Sequence, residues 1–296
     1  MTDSPALEIP PYLPTEQDLA FFRTHGWWTS PKIIPDDVLD TALLGAERHY
    51  AGERDHPLLI NGGYLDWRPE HGNVLRLNDY VSLQNDHVGQ LLNVTVIAET
   101  AALLADTSTI RLFHDQLICK PPGLDQTESI VGWHVDAAYW QTCSSRNMLT
   151  AWIPFQECDE ETGALSFVDR SHLRTDTEWM KTFNEHDMRA LEDSFKAEGS
   201  SLKRVPVRLQ RGQVSFHHCR TIHGSEANRS RDRDRLALAL HFQDDSNRYV
   251  PHVDTSGKRT VHINDLLCRR DARGYPDYMD PDICPVLWPD SKGLTS

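Results

Sequence analysis

The sequence contains no stretch near the ~20 apolar residues of a membrane-spanning helix. It has no internal repeat and no low-complexity linker. Its start, Met-Thr-Asp-Ser-Pro, has neither the basic beginning nor the apolar run of an export signal. Positive charge is scarce: 30 Lys and Arg face 44 Asp and Glu, a formal net charge of −14. Nucleic acid and anionic membranes need a basic surface, so neither is expected as a main partner. The one basic run, residues 229–235, is interrupted by aspartates. The six cysteines (Cys119, Cys143, Cys158, Cys219, Cys268 and Cys284) form no close pair and no zinc-like spacing. In a chain this long they read as reduced thiols, and a cytoplasmic protein is expected.

The 296 residues suffice for a large core, and one domain is expected. Residues 1–14 are Pro-rich and read as an extended arm. Residues 15–108 read as a helical flank. Thr15 with acidic residues behind it suits a helix start, and Gly26 a stop. A second helix is predicted from Pro35 to about Tyr50, and a third over 86–106 from helically spaced apolar residues. Between these two, residues 51–85 lack periodicity, and Tyr64 and Trp67 are possible substrate-lid residues there. From about residue 109 the period shortens. Strands are predicted over 110–119, 148–155, 164–168, 205–209, 213–216 and 236–242, with a helical insertion over 174–199. Residues 246–296 read as irregular. Helices followed by many short strands fit an α+β domain, mostly β in its core, built on a barrel or jelly roll over residues 109–245.

The chemistry is carried by Trp133-His134-Val135-Asp136 and by the stretch ending at His223-Gly224. His and Asp two apart on a strand share a face. A His at a strand end beside a Gly can project into a barrel mouth. Two His and one carboxylate form a facial triad whose open positions suit Fe(II), a chelating 2-oxo acid and O₂. Arg235, twelve residues past His223, opens the next strand. Its planar fork suits the distal carboxylate of such an acid, and the Ser225 hydroxyl offers a further hydrogen bond.

These residues sit in stretches that resemble the phytanoyl-CoA dioxygenase-like branch of the 2-oxoglutarate/Fe(II) oxygenases. They are Leu117-Ile-Cys-Lys-Pro-Pro122, Trp133-His-Val-Asp-Ala-Ala-Tyr-Trp140, Thr150-Ala-Trp-Ile-Pro154, Glu161-Thr-Gly-Ala-Leu165, Arg170-Ser-His172, and Thr221-Ile-His-Gly-Ser225 with Arg235. They keep one order over roughly residues 15–245. The resemblance implies a double-stranded β-helix, a cupin-like jelly-roll barrel with flanking N-terminal helices and a helical insertion. It implies His134, Asp136 and His223 as iron ligands, Arg235 as the 2-oxoglutarate anchor, and Ser225, Lys120 and Trp152 as co-substrate pocket residues. Asp136 stands where the halogenases of this superfamily carry Ala or Gly, which favours oxygen chemistry.

Alternatives stay open at this level. His217 and His218 rival His223 as ligand. Arg231 and Arg233 rival Arg235, because the segment between His223 and Arg235 is about one residue longer than expected. His114 and Gln116 are candidate pocket residues, and Tyr139 and Trp140 either pack the barrel mouth or touch substrate. His172 reads as structural and Gly163 as a turn glycine. A non-redox cupin-type metal enzyme and a degenerate metal-binding sensor are the rival functions. With no basic cluster suited to a CoA phosphate, a natural-product or metabolite intermediate is the expected substrate.

Overall fold

Thr15 starts the first helix with a reciprocal cap: its hydroxyl accepts from the Asp18 N–H, and the Asp18 carboxylate accepts from the Thr15 N–H. The helix α1 (Glu16–His25) stops at Gly26, which is left-handed at φ 78° and lies against the His172 ring and the Thr221 hydroxyl, where a Cβ has no room. This is a computed structural model, and it describes residues 12–123, 127, 129–196 and 203–289. After α1 come β1 (Trp27–Thr29), α2 (Asp36–Tyr50), β2 (Arg76–Asp79), α3 (Val81–Gln84), α4 (Asp86–Gly89) and α5 (Thr95–Leu104). Then follow β3 (Ile110–Lys120), β4 (Val131–His134), β5 (Leu149–Pro154), β6 (Leu165–Val168), α6 (Met188–Lys196) and β7 (Arg204–Pro206). The chain continues through β8 (Ser215–His218), β9 (His223–Ser225), β10 (Arg235–Asp244), α7 (Asn264–Leu267) and β11 (Val286–Trp288).

Among the described residues the strands form two antiparallel sheets. The larger runs β1-β8-β5-β10-β3-β11, with β2 also on β3; the smaller runs β4-β9-β6-β7. The result is a mixed helix and sheet architecture. Strand parity then decides what each face meets. On β10, Leu236, Leu238, Leu240 and Phe242 pack in one core cluster with Phe22, Leu39 and Ile97 of the helices. Ala237 and Ala239 face the other way, toward Leu165 and Phe167 of the smaller sheet. Both faces are covered, so the whole strand is buried. A bulge opposite His241 skips Phe113 on β3. It re-aims that strand, so that Leu112 faces the helices while Ile118 faces the smaller sheet.

Several expected boundaries differ. The helix expected over 86–106 is broken: α4 passes into a 3-10 turn over Gln90–Asn93, and Val94 leaves helical geometry at ψ 81°. The run Val94-Thr95-Val96-Ile97 is β-branched throughout, which weakens a helix there. The insertion expected to be helical over 174–199 is helical only in α6. Its start is set by Asp187, whose carboxylate accepts from the Ala190 N–H. Residues 174–187 form turns that bury Met180. Residues 246–289, expected to be irregular, include α7 and β11. The expected arm over 1–11 and the end of the insertion at 197–199 lie outside the described residues. No single described helix is long and apolar enough to cross a membrane.

Candidate metal centre

The ladder between β4 and β9 sets His134 directly opposite His223, and their ring centroids are 4.1 Å apart. The stretch ending at His223-Gly224 contains two strands, β8 and β9, in different sheets. Thr221 N–H donates to His218 O in the turn between β8 and β9. His223 therefore opens a strand instead of ending one. His134 is the last residue of β4 and Asp136 begins a 3-10 turn, so the pair is not on one strand. Val135 between them is extended at φ −122° and ψ 136°, which still turns both side chains to one side.

The two imidazoles are oriented alike. His134 Nδ1 lies 2.8 Å from Gly132 O and His223 Nδ1 lies 2.9 Å from Thr221 O. Each Nδ1 carries the proton it donates, which leaves Nε2 as a bare donor atom for a metal. Those Nε2 atoms lie 3.8 and 3.5 Å from Asp136 Oδ1. The ligand atoms of all three side chains fall within 4.8 Å of one another, and the three residues are buried. Burial and the neighbouring His223 push His134 down to about 3; burial and His217 push His223 down to about 4. Both are neutral at ordinary pH, as metal ligands must be. Burial opposes the Asp136 anion, yet His223, His217 and His241 around it carry its carboxyl well below the usual range.

The second oxygen of Asp136 is held from behind. Thr150 Oγ1 donates to Asp136 Oδ2 at 2.6 Å and lies 2.8 Å from His241 Nδ1. His217 Nε2 is 3.3 Å from the same oxygen. His217 thus faces Asp136 from beside the three-residue group. His218 is turned away: its Nδ1 accepts from the Arg220 N–H, and its ring packs near His172.

A cavity of about 370 Å³ opens at these residues. Arg235 reaches it from β10, which pairs with β3 and β5 in the larger sheet. Arg235 is 2% exposed, and its Nε and Nη1 have no hydrogen-bond partner. It lies 5.4 Å from the Trp152 ring centroid. Burial lowers its pKa to about 10, so it remains a cation at neutral pH. A buried cation with two unused donors is a site prepared for an anion. The rivals are elsewhere: Arg233 binds Glu161 at 2.7 Å and Arg231 is exposed. Lys120 is fully buried, with Nζ donating to Ser225 Oγ at 2.7 Å, Ser225 O at 3.1 Å and Glu226 O at 2.6 Å. Lys120 fixes the β9 end and is not on the cavity wall, while Ser225 and Trp152 are.

His114, Gln116, Tyr139 and Trp140 line the cavity. Tyr64 and Trp67 do not. Leu65 between them does, because Trp67 turns outward to Gly72 O and the Arg76 guanidinium. The sequence reading missed Asp79, Thr150, His241 and His262 on the wall. His241 shares strand parity with Arg235, a signal that was available. His262 lies in a segment without periodicity, which gave none.

A family model described as phytanoyl-CoA dioxygenase (PhyH) matches residues 49–237, which include the three clustered side chains and Arg235. The peroxisomal phytanoyl-CoA dioxygenase of Bos taurus is 26% identical over 181 residues, 59% of this chain and 51% of that protein. The chain thus spans about half the length of that relative. The non-heme alpha ketoglutarate dependent epimerase SnoN from nogalamycin biosynthesis superposes with a TM-score of 0.67 at 25% identity, covering 92% of this chain and 95% of that one. SnoN has also been crystallised with Fe3+, alpha ketoglutarate and nogalamycin RO. The carbocyclase SnoK from the same biosynthesis gives a TM-score of 0.66 at 22% identity, covering 92% and 96%.

Proposed function

The chain belongs to the phytanoyl-CoA dioxygenase family, and from that premise we propose that it is an Fe(II)- and 2-oxoglutarate-dependent dioxygenase oxidising a C–H bond of a small molecule. The observation that carries this reading is the pairing of two features in one cavity. One is a buried His-Asp-His group with both Nε2 atoms free. The other is a buried arginine with two unused N–H donors. A non-redox cupin enzyme needs the first feature only, and a sensor needs neither to face a substrate-sized space.

His134, Asp136 and His223 hold the iron, and Arg235 with Ser225 holds the distal carboxylate of 2-oxoglutarate. When bound, iron and 2-oxoglutarate supply the O₂-derived oxidant for the C–H bond, with succinate and CO₂ as co-products. The protein's own contribution is positional. The Nδ1–H bonds fix the ring tautomers. Thr150 fixes the Asp136 carboxylate. Apolar walls at Leu65, Leu77, Phe183 and Ile263 exclude water from the reacting carbon. The order of strands supports the finer reading of the fold as a double-stranded β-helix. Successive strands β3, β4, β5 and β6 alternate between the sheets, as do β8, β9 and β10.

Arg235 is the one Lys or Arg on the cavity wall among the described residues. That leaves no cation for a CoA phosphate and supports a natural-product or metabolite substrate. The six free, buried thiols support a reducing compartment such as the cytoplasm. A metabolite screen for succinate release, followed by product mass, tests the proposal. Gain of one oxygen means hydroxylation or epoxidation, and loss of two hydrogens means desaturation or cyclisation. Succinate release that needs no 2-oxoglutarate binding at Arg235 removes the basis of the reading.

A further inference from the structure

Beyond His134, His223 and the His217 that faces Asp136, three further imidazoles line the cavity: His114 on β3, His241 on β10 and His262 before α7. Their rings are clamped. His114 stacks on His241 at 5.2 Å with 10° between planes, and meets His262 edge-on at 5.6 Å and 87°. Tyr80 packs on His114, Trp140 on His241 and Phe113 on His262.

The hydrogen bonds on their outer nitrogens fix what each ring offers the cavity. Asp79 Oδ1 lies 3.3 Å from His114 Nε2 and accepts from Gln116 Nε2 at 2.9 Å; Asp79 Oδ2 accepts from the Leu65 N–H. A carboxylate only accepts, so the His114 Nε2 facing Asp79 is an N–H, and Nδ1 is the acceptor of the neutral ring. Thr150 gives its proton to Asp136, so it accepts from His241 Nδ1–H, and His241 presents Nε2 as an acceptor. The Asn264 N–H donates to His262 Nδ1 at 3.2 Å, so His262 presents Nε2–H as a donor.

We propose that His114, His241 and His262 form a subsite for a substrate hydroxyl, alcoholic or phenolic, which donates to an acceptor nitrogen and accepts from His262 Nε2–H. This rests on the dioxygenase reading for the substrate's fate, but not for its binding. A carboxylate at this place meets two lone pairs. An ammonium meets the His262 donor and finds both oxygens of Asp79 already taken by Gln116, His114 and Leu65. A hydroxyl satisfies both kinds of partner at once. A site built to hydrogen-bond a hydroxyl rejects the analogue that lacks it, because its own polar atoms are then left unpaired.

The test uses the full chain loaded with Fe(II) and 2-oxoglutarate under argon, and two probes of one shape, 1-naphthol and 1-methoxynaphthalene. Probe fluorescence gives the two dissociation constants. The expected result is about tenfold tighter binding of the naphthol. His114→Phe and His262→Phe, on separate elements, each reduce that preference to within about threefold. Equal binding by the wild type, including no binding of either probe, overturns the proposal; so does a preference that survives both substitutions. Failure of the dioxygenase reading shows separately, as loss of the visible Fe(II)–2-oxoglutarate band in the wild-type protein, a readout that does not depend on the probes.

Discussion

Replacing Arg235 with Met separates an anchor for a ligand from a structural ion. Arg235 is buried, its Nε and Nη1 have no partner, and the Trp152 ring lies 5.4 Å from the charge. In the free protein this arrangement is a cost. An uncompensated buried charge gives up about 1–3 kcal/mol of stability, and the cation–π contact returns about 1 kcal/mol. Met keeps most of the volume and removes the charge. The ligand-free Arg235→Met protein should therefore be as stable as wild type or more so by up to about 2 kcal/mol. With 2-oxoglutarate the sign reverses. Losing a paired, desolvated charge costs about 3 kcal/mol of binding, on the order of a 100-fold weaker dissociation constant. At 2-oxoglutarate concentrations 100 times the wild-type Kd, mass action stabilises wild type by about 2.7 kcal/mol. The variant, then near its own Kd, gains only about 0.4 kcal/mol. Chemical denaturation with Fe(II) under argon, with and without 2-oxoglutarate, reads all four states. A variant that keeps the full ligand-induced gain, or whose ligand-free form loses more than about 3 kcal/mol, refutes the reasoning.

Three further outcomes are expected. Thr150→Val removes the O–H that holds Asp136 Oδ2 and should weaken Fe(II) binding by about tenfold, read by anaerobic metal competition. Lys120→Met strands Ser225 O, Ser225 Oγ and Glu226 O, and should lower the unfolding free energy by about 2 kcal/mol in urea. Burial pushes His49 and His218 down to about 3 from an unfolded value of 6.5. Between these pH values the unfolded chain binds protons that the folded chain refuses. The stability these groups lend is thus complete above pH 6.5 and falls by about 1.4 kcal/mol per pH unit each as pH drops toward 3. His49→Phe should flatten that slope by one such increment in urea midpoints measured from pH 7 to 5.

The candidate ligands were legible in the sequence because each carries a local spacing signal, while their convergence depends on the pairing of β4 with β9. His134 and Asp136 are separated by one extended residue, and His223 and Arg235 stand where a turn meets a strand. The helix caps at Thr15 and Gly26 were legible for the same reason, being written in neighbouring residues. What stayed hidden depends on distant pairing. His114 read as a candidate pocket residue and lines the cavity, but the bulge at Phe113 that turns it inward is announced by nothing near it. Lys120 was expected in the co-substrate pocket, and its bonds to Ser225 and Glu226 appear only once β9 is brought beside it. Tyr64 and Trp67 were the lid candidates of their loop, and Leu65 between them lines the cavity instead, because a loop without periodicity does not say which residue turns inward. Asp79 is an ordinary strand residue until His114 and Gln116 converge on it.

On the proposed function, His134, Asp136 and His223 hold one ferrous ion, and 2-oxoglutarate chelates that ion. Anaerobic titration of the protein with Fe(II) and 2-oxoglutarate tests it directly. The expected result is a weak visible charge-transfer band that saturates at one iron per chain and disappears in His134→Ala and His223→Ala. No band in the wild-type protein, or an undiminished band in either variant, contradicts it.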